Sequence, residues 1–188
     1  MRSPLAELLA DLGEAGVRWY LFGAQAAILL GAARLTADVD VTVQDVLRPS
    51  ETLLPVLEAR GFALRVDNVE EFVDRTRVIP AVHVASGLPV DLVLAVPGLE
   101  EQFFARVKMH RVEDIDVPVA SAEDIVVTKI LAGRPKDFDD VVAVLAANAD
   151  LGLALVRETL QQLEWALDQS DLLPLFEQAL LRSRRGRG

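Results

Sequence analysis

Up to Val119 the chain alternates short β-branched or aromatic runs with amphipathic stretches, and from Ser121 onward only helical spacing remains. This change of periodicity limits the fold more than any other feature. A mixed first part needs a sheet with helices packed on it, and an all-helical second part must bury its apolar stripes against itself. Helical spacing predicts a first helix over Leu5–Ala15, closed by Gly16, then a buried strand over Val17–Phe22. Gly23 ends that strand, and Ala24–Leu30 reads as a short helix stopped by Gly31. Val39–Val43 (VDVTV) alternates strictly and is a second strand. Next come a helix over Pro49–Arg60, strands over Phe62–Val66, Val78–Ala85 and Leu88–Val96, a helix over Leu99–Val107 and a short edge strand at Val117–Val119. The acidic stretch DNVEEFVDRTR reads as a loop or turn.

In the second part, Ser121 with Asp124 resembles a capping box and opens a helix through Leu131. Gly133 breaks it, and Pro135 starts another to about Ala147. Two more helices are expected, Leu153–Leu167 and Leu172–Leu181. The fold class expected is α+β, a small mixed β-sheet core over residues 1–120 followed by a C-terminal helical bundle over 121–181. Residues 182–188 read as a basic, disordered tail. Trp19 and Trp165 read as core.

Composition narrows the chemistry. With 188 residues, 52% of them hydrophobic, a sizeable core can form. The absence of cysteine excludes disulfide frameworks, thiolate zinc sites and cysteine nucleophiles, and fits a cytoplasmic protein. No run approaches the roughly 20 apolar residues that cross a bilayer, so no membrane partner is expected. The formal net charge of -10 repels nucleic acid over the body of the molecule, with the RSRRGRG terminus as the exception.

Three acids stand out. Asp38 and Asp40 are two apart at a strand, where side chains at i and i+2 share a face. Two such carboxylates repel unless a cation lies between them, and oxygen ligands of this kind suit Mg²⁺ or Mn²⁺. Asp91 sits in the apolar run LPVDLVLAV, where a buried carboxylate needs a partner. If its strand lies beside Val39–Val43, the three acids can hold two metal ions for in-line phosphoryl transfer. Gly23, between strand and helix, lets backbone approach a ligand closely. Arg34 and Thr36 precede the carboxylates; each is placed either to meet phosphate or to finish a turn. Lysine occurs only three times, and two of the three, Lys129 and Lys136, fall with Arg134, Asp137 and Asp140. Lys129 lies in a mostly apolar helix and needs an anion, either a triphosphate or the paired acids Asp137 and Asp140.

The order strand, Gly23-Ala24, helix, then Arg34-x-Thr36-x-Asp38-x-Asp40 resembles the nucleotidyltransferase superfamily with the polymerase-β-type palm. Asp91 matches that superfamily's third carboxylate. The segment from Lys129 through Lys136-Asp137 to Asp140 resembles the AbiEii-toxin-like group of small nucleotidyltransferases, and the resemblance covers about Val17 to Leu145. It implies a nucleoside triphosphate donor, loss of pyrophosphate and transfer of a nucleotide to a hydroxyl. Asp38, Asp40 and Asp91 would be the catalytic and metal-binding residues. Gly23, Ala24, Gln25, Arg34, Thr36, Lys129, Lys136, Asp137 and Asp140 would bind the nucleotide. Ala24 replaces the Ser that many members carry, which shifts phosphate binding to backbone N–H groups or Gln25. The toxin-like branch implies tRNA or another macromolecular acceptor, the acceptor expected here on the Lys129–Asp140 element, and a cognate antitoxin. A second branch modifies aminoglycoside or lincosamide antibiotics, and an acidic chain attracts such cations. An inactive nucleotide-binding or antitoxin-like scaffold would be marked by a missing acid, and all three are present. The expected cleft has the carboxylates on the sheet side and Lys129 on the helical side.

Overall fold

The structure, a computed structural model, describes residues 4–33, 35–44, 49–96, 98–112 and 115–185. In chain order the elements are α1 (Pro4–Glu14), β1 (Trp19–Phe22), α2 (Gly23–Leu29), β2 (Val39–Val43), α3 (Pro49–Ala59), β3 (Phe62–Leu64), α4 (Val69–Thr76), β4 (Val78–His83), β5 (Pro89–Leu94), α5 (Leu99–Phe103), β6 (Lys108–Val112), β7 (Ile115–Val119), α6 (Ala122–Ala132), α7 (Pro135–Ala147), α8 (Leu153–Leu167) and α9 (Leu172–Arg185). The fold is mixed α/β, with a seven-stranded sheet among the described residues in the order β3-β4-β5-β2-β1-β7-β6. β2 pairs with β5, and β1 with β7, in parallel; the other neighbours are antiparallel.

Alternation sets the two faces at the centre of this sheet. Val39, Val41 and Val43 on β2 and Val90, Leu92 and Leu94 on β5 are buried. Asp40 and Asp91 take the intervening positions and are each half-buried. A one-residue slip would exchange the two sets, so burial of the valines and leucines fixes where the carboxylates point.

The chain divides into two compact units, Met1–Gln25 with Thr36–Ala120, and Ala26–Leu35 with Ser121–Gly188. In the second unit, Ala26–Leu35 is tied to α7. Asn148 Nδ2 donates to the Leu30 carbonyl at 2.8 Å. A side chain on Gly31 would collide with the Ala147 methyl group. Ser121 caps α6, its Oγ accepting from the Asp124 N–H at 3.1 Å.

Four expectations need correction. The acidic stretch expected as a loop contains α4. Val69, Phe72 and Val73 form a short stripe at helical spacing within the acidic run, with Val73 buried, and Asn68 caps the helix by accepting from the Glu71 N–H at 3.2 Å. Val117–Val119 is not an edge. Lys108–Val112 pairs outside it as β6, a polar strand whose charges suit a sheet edge. Helix α9 continues past Leu181 to Arg185, because Ser183 is buried and arginines in a last turn oppose the helix dipole. Trp165 is 88% exposed rather than core, and Trp19 is half-buried. The buried residues of α8, Val156 and Leu160, all precede its final turns.

Candidate active site

In the first unit one row of the sheet brings two of the candidate acids together. Phe22 on β1 faces Asp40 on β2, Asp40 faces Asp91 on β5, and Asp91 faces Pro80 on β4. The Arg65 N–H, just past β3, bonds the Pro80 carbonyl at 2.9 Å and extends the row. Register partners on adjacent strands put their side chains on one face about 5 Å apart. Two carboxylates therefore stand side by side at the centre of the sheet. The Asp91 side chain is 32% exposed, and its Oδ1 accepts from Arg65 Nη2 in an ion pair. Asp91 thus meets its need for a partner through a guanidinium.

The turn from β1 into α2 makes room for this row. Gly23 has φ +64, and a Cβ there would overlap the Asp40 carboxylate. The glycine therefore serves both the turn and the carboxylate. Asp38 lies in the coil just before β2 and is exposed. Thr36 Oγ1 accepts from the Asp38 N–H at 3.3 Å, and Gln25 Nε2 donates to the Thr36 carbonyl at 3.3 Å. These bonds tie the approach to β2 back to the start of α2. Arg34 lies outside the described residues. Ala24 is half-buried.

Among the described residues no group of three or more His, Asp or Glu side chains is gathered closely enough to hold a metal ion. Asp40 and Asp91 together still have the chemistry of a hard-cation site, two adjacent carboxylates, with that of Asp40 lying against Gly23. Thr42, two residues beyond Asp40, buries its hydroxyl with no hydrogen-bond partner among the described residues.

In the second unit, Lys129 is 7% exposed and its Nζ lies 3.1 Å from Asp137 Oδ1 and 2.6 Å from Asp140 Oδ2. Arg134 also pairs with Asp137. Burial alone would raise the Asp137 carboxyl, but the hydrogen bonds from Arg134 and Lys129 outweigh it and hold the group below the usual carboxylate range. Of the two roles open to Lys129, the geometry supplies the internal one. Lys136 is exposed. A cavity of about 380 Å³ opens beside this cluster, lined by residues that include Lys129, Arg134, Phe138, Leu175 and Arg182.

Residues 6–169 match the family described as nucleotidyltransferase of unknown function (DUF6036). The chain belongs to this family. It is therefore an enzyme, a nucleotidyltransferase. No curated protein matches it. Among solved structures, it is similar to the antibiotic-resistance factor ANT(2″)-Ia, with 12% identity, TM-score 0.61 and coverage of 88% of this chain and 91% of that one. The lincosamide antibiotic adenylyltransferase LnuA, solved with lincomycin bound, is similar at 13% identity and TM-score 0.54, covering 79% of this chain and 98% of that one. An antigenic nucleotidyltransferase-like protein from Paracoccidioides brasiliensis is similar at 16% identity and TM-score 0.53, covering 93% and 91%. At these identities the likeness is one of fold. No helix among the described residues of this nucleotidyltransferase is long and apolar enough to cross a membrane.

Sequence reasoning missed Arg65. In sequence it is one arginine in a short strand end, and only the β3-β4-β5 pairing brings it to Asp91.

Proposed function

We propose that this nucleotidyltransferase moves a nucleotide from a nucleoside triphosphate to an acceptor hydroxyl, releasing pyrophosphate, with Asp38, Asp40 and Asp91 as the metal-binding carboxylates. The observation that carries this reading is the register of Asp40 against Asp91 beside Gly23. Mg²⁺ or Mn²⁺ bound there would supply a positive charge for the triphosphate and a more acidic acceptor hydroxyl. The backbone N–H groups of Ala24 and Gln25 at the start of α2 would take the phosphates, a role consistent with the missing serine. Thr36 holds Asp38 through its backbone and so orients the ligand loop. Lys129, with Asp137 and Asp140, braces the helical unit, and Lys136, exposed and outside that ion-pair cluster, keeps its charge available to an anion.

For the acceptor, we favour a small cationic molecule over RNA. A net charge of -10 attracts cations and slows encounter with polyanions. The Lys129–Asp140 element that suggested RNA is closed on itself by ion pairs. Two of the structural neighbours are, by their own descriptions, an antibiotic-resistance factor and a lincosamide adenylyltransferase. Protein, Mg²⁺ and each α-labelled nucleoside triphosphate, offered total tRNA in one set and aminoglycosides and lincosamides in another, decide the matter. Label on a cationic small molecule is expected. Label on tRNA alone, weakening steeply with salt, would restore the toxin-like acceptor.

A further inference from the structure

The row of carboxylates raises a physical problem that Arg65 relieves at Asp91. Asp40 and Asp91 are register partners on parallel strands, so their charges are held on one face at a separation where like charges destabilise a sheet. The fold must tolerate this pair before any cation arrives. Next along the row is Pro80, whose ring carries no polar group. Beyond it, Arg65 is anchored by its N–H to the Pro80 carbonyl and reaches over β4 to Asp91. A guanidinium suits this task, because it stays charged at every relevant pH and is long enough to bridge the intervening strand.

We propose that Arg65 is the resident counter-ion of Asp91 in the metal-binding row: it pairs with Asp91 while no divalent cation is bound, and gives up that carboxylate when one binds. This rests on the metal-dependent reading above. The exchange is possible because both partners are near the surface, with side-chain exposures of 38% for Arg65 and 32% for Asp91. Solvent screens such a pair, so it is strong enough to quiet Asp91 and weak enough to yield to a divalent ion. Arg65 is a positioning residue in this scheme. It acts through Asp91.

The test is Mn²⁺ binding, followed by the electron paramagnetic resonance of free Mn²⁺, on wild type, R65Q, R65K and D40N, with melting temperatures in EDTA and in excess Mn²⁺. Removing the competitor should tighten Mn²⁺ binding about two- to fivefold in R65Q, the factor an exposed ion pair supplies. R65Q should also melt lower than wild type in EDTA and recover in Mn²⁺. R65K, which keeps the charge without the fork, should fall between the two in affinity. Binding by R65Q that equals or is weaker than wild type, while D40N loses it, would overturn the exchange and leave the metal reading standing. Wild type that binds no Mn²⁺ at all would remove both.

Discussion

At the scale of single residues, the account depends on Gly23 and the two carboxylates it accommodates. Gly23 combines a positive φ with contact against Asp40, so no other residue satisfies both demands. The substitution Gly23→Ala is expected to cost roughly 1–3 kcal/mol, from backbone strain and a displaced Asp40. Urea unfolding measures the first effect and Mg²⁺-dependent nucleotide binding the second. A fully stable G23A protein with unchanged binding would contradict the tight packing of turn and carboxylate. The juxtaposition of Gly23, Asp40 and Asp91 was legible in the sequence because each breaks a local pattern, a glycine at a strand end or an acid in an apolar strand, whereas Asp38 lies in the coil before β2 and not on the strand. Arg65 was not legible. Its importance comes from two strand pairings that link it to Asp91 across β4, and nothing in the surrounding residues, FALRVDN, records them.

At the scale of elements, the strands and helices that bury continuous apolar stripes were readable, and β2, α7 and α8 lie where periodicity put them. Elements that bury little were not. Helix α4 buries one side chain, and strand β6 is a polar edge defined by its pairing with β7. The junction of α6 and α7 carries its own prediction. Lys129 joins the two helices through Asp137 and Asp140, all three side chains being nearly inaccessible. Lys129→Met removes the cation and leaves buried carboxylates behind, at a cost of about 3–5 kcal/mol. A stable K129M protein with weakened nucleotide affinity would instead make Lys129 a phosphate ligand. The pH dependence follows from the lowered Asp137 carboxyl. A carboxyl held below its unfolded value stabilises the fold above that value, near pH 4, and the contribution fades as pH falls through the folded value. The stability gap between wild type and Asp137→Asn should therefore be full at neutral pH and narrow below about pH 4.

At the scale of the whole molecule, strand signals end after Val119 in the sequence, while the assignment of Ala26–Leu35 to the same compact unit as Ser121–Gly188 has no sequence signal. That assignment comes from contacts over more than a hundred residues, such as Asn148 with Leu30. Charge acts at this scale too. A strongly acidic enzyme handles a polyphosphate only where bound cations offset its own field, so nucleotide affinity should require the divalent ion rather than merely improve with it. Calorimetric titration of ATP, CTP, GTP and UTP into wild type and the Asp38→Asn, Asp40→Asn double variant, each with and without Mg²⁺, measures this directly. At least one nucleotide should bind wild type only when Mg²⁺ is present, and the double variant should melt no lower than wild type while losing that binding. Equal nucleotide affinity in the two proteins, or wild-type binding indifferent to Mg²⁺, would contradict the assignment of the carboxylates.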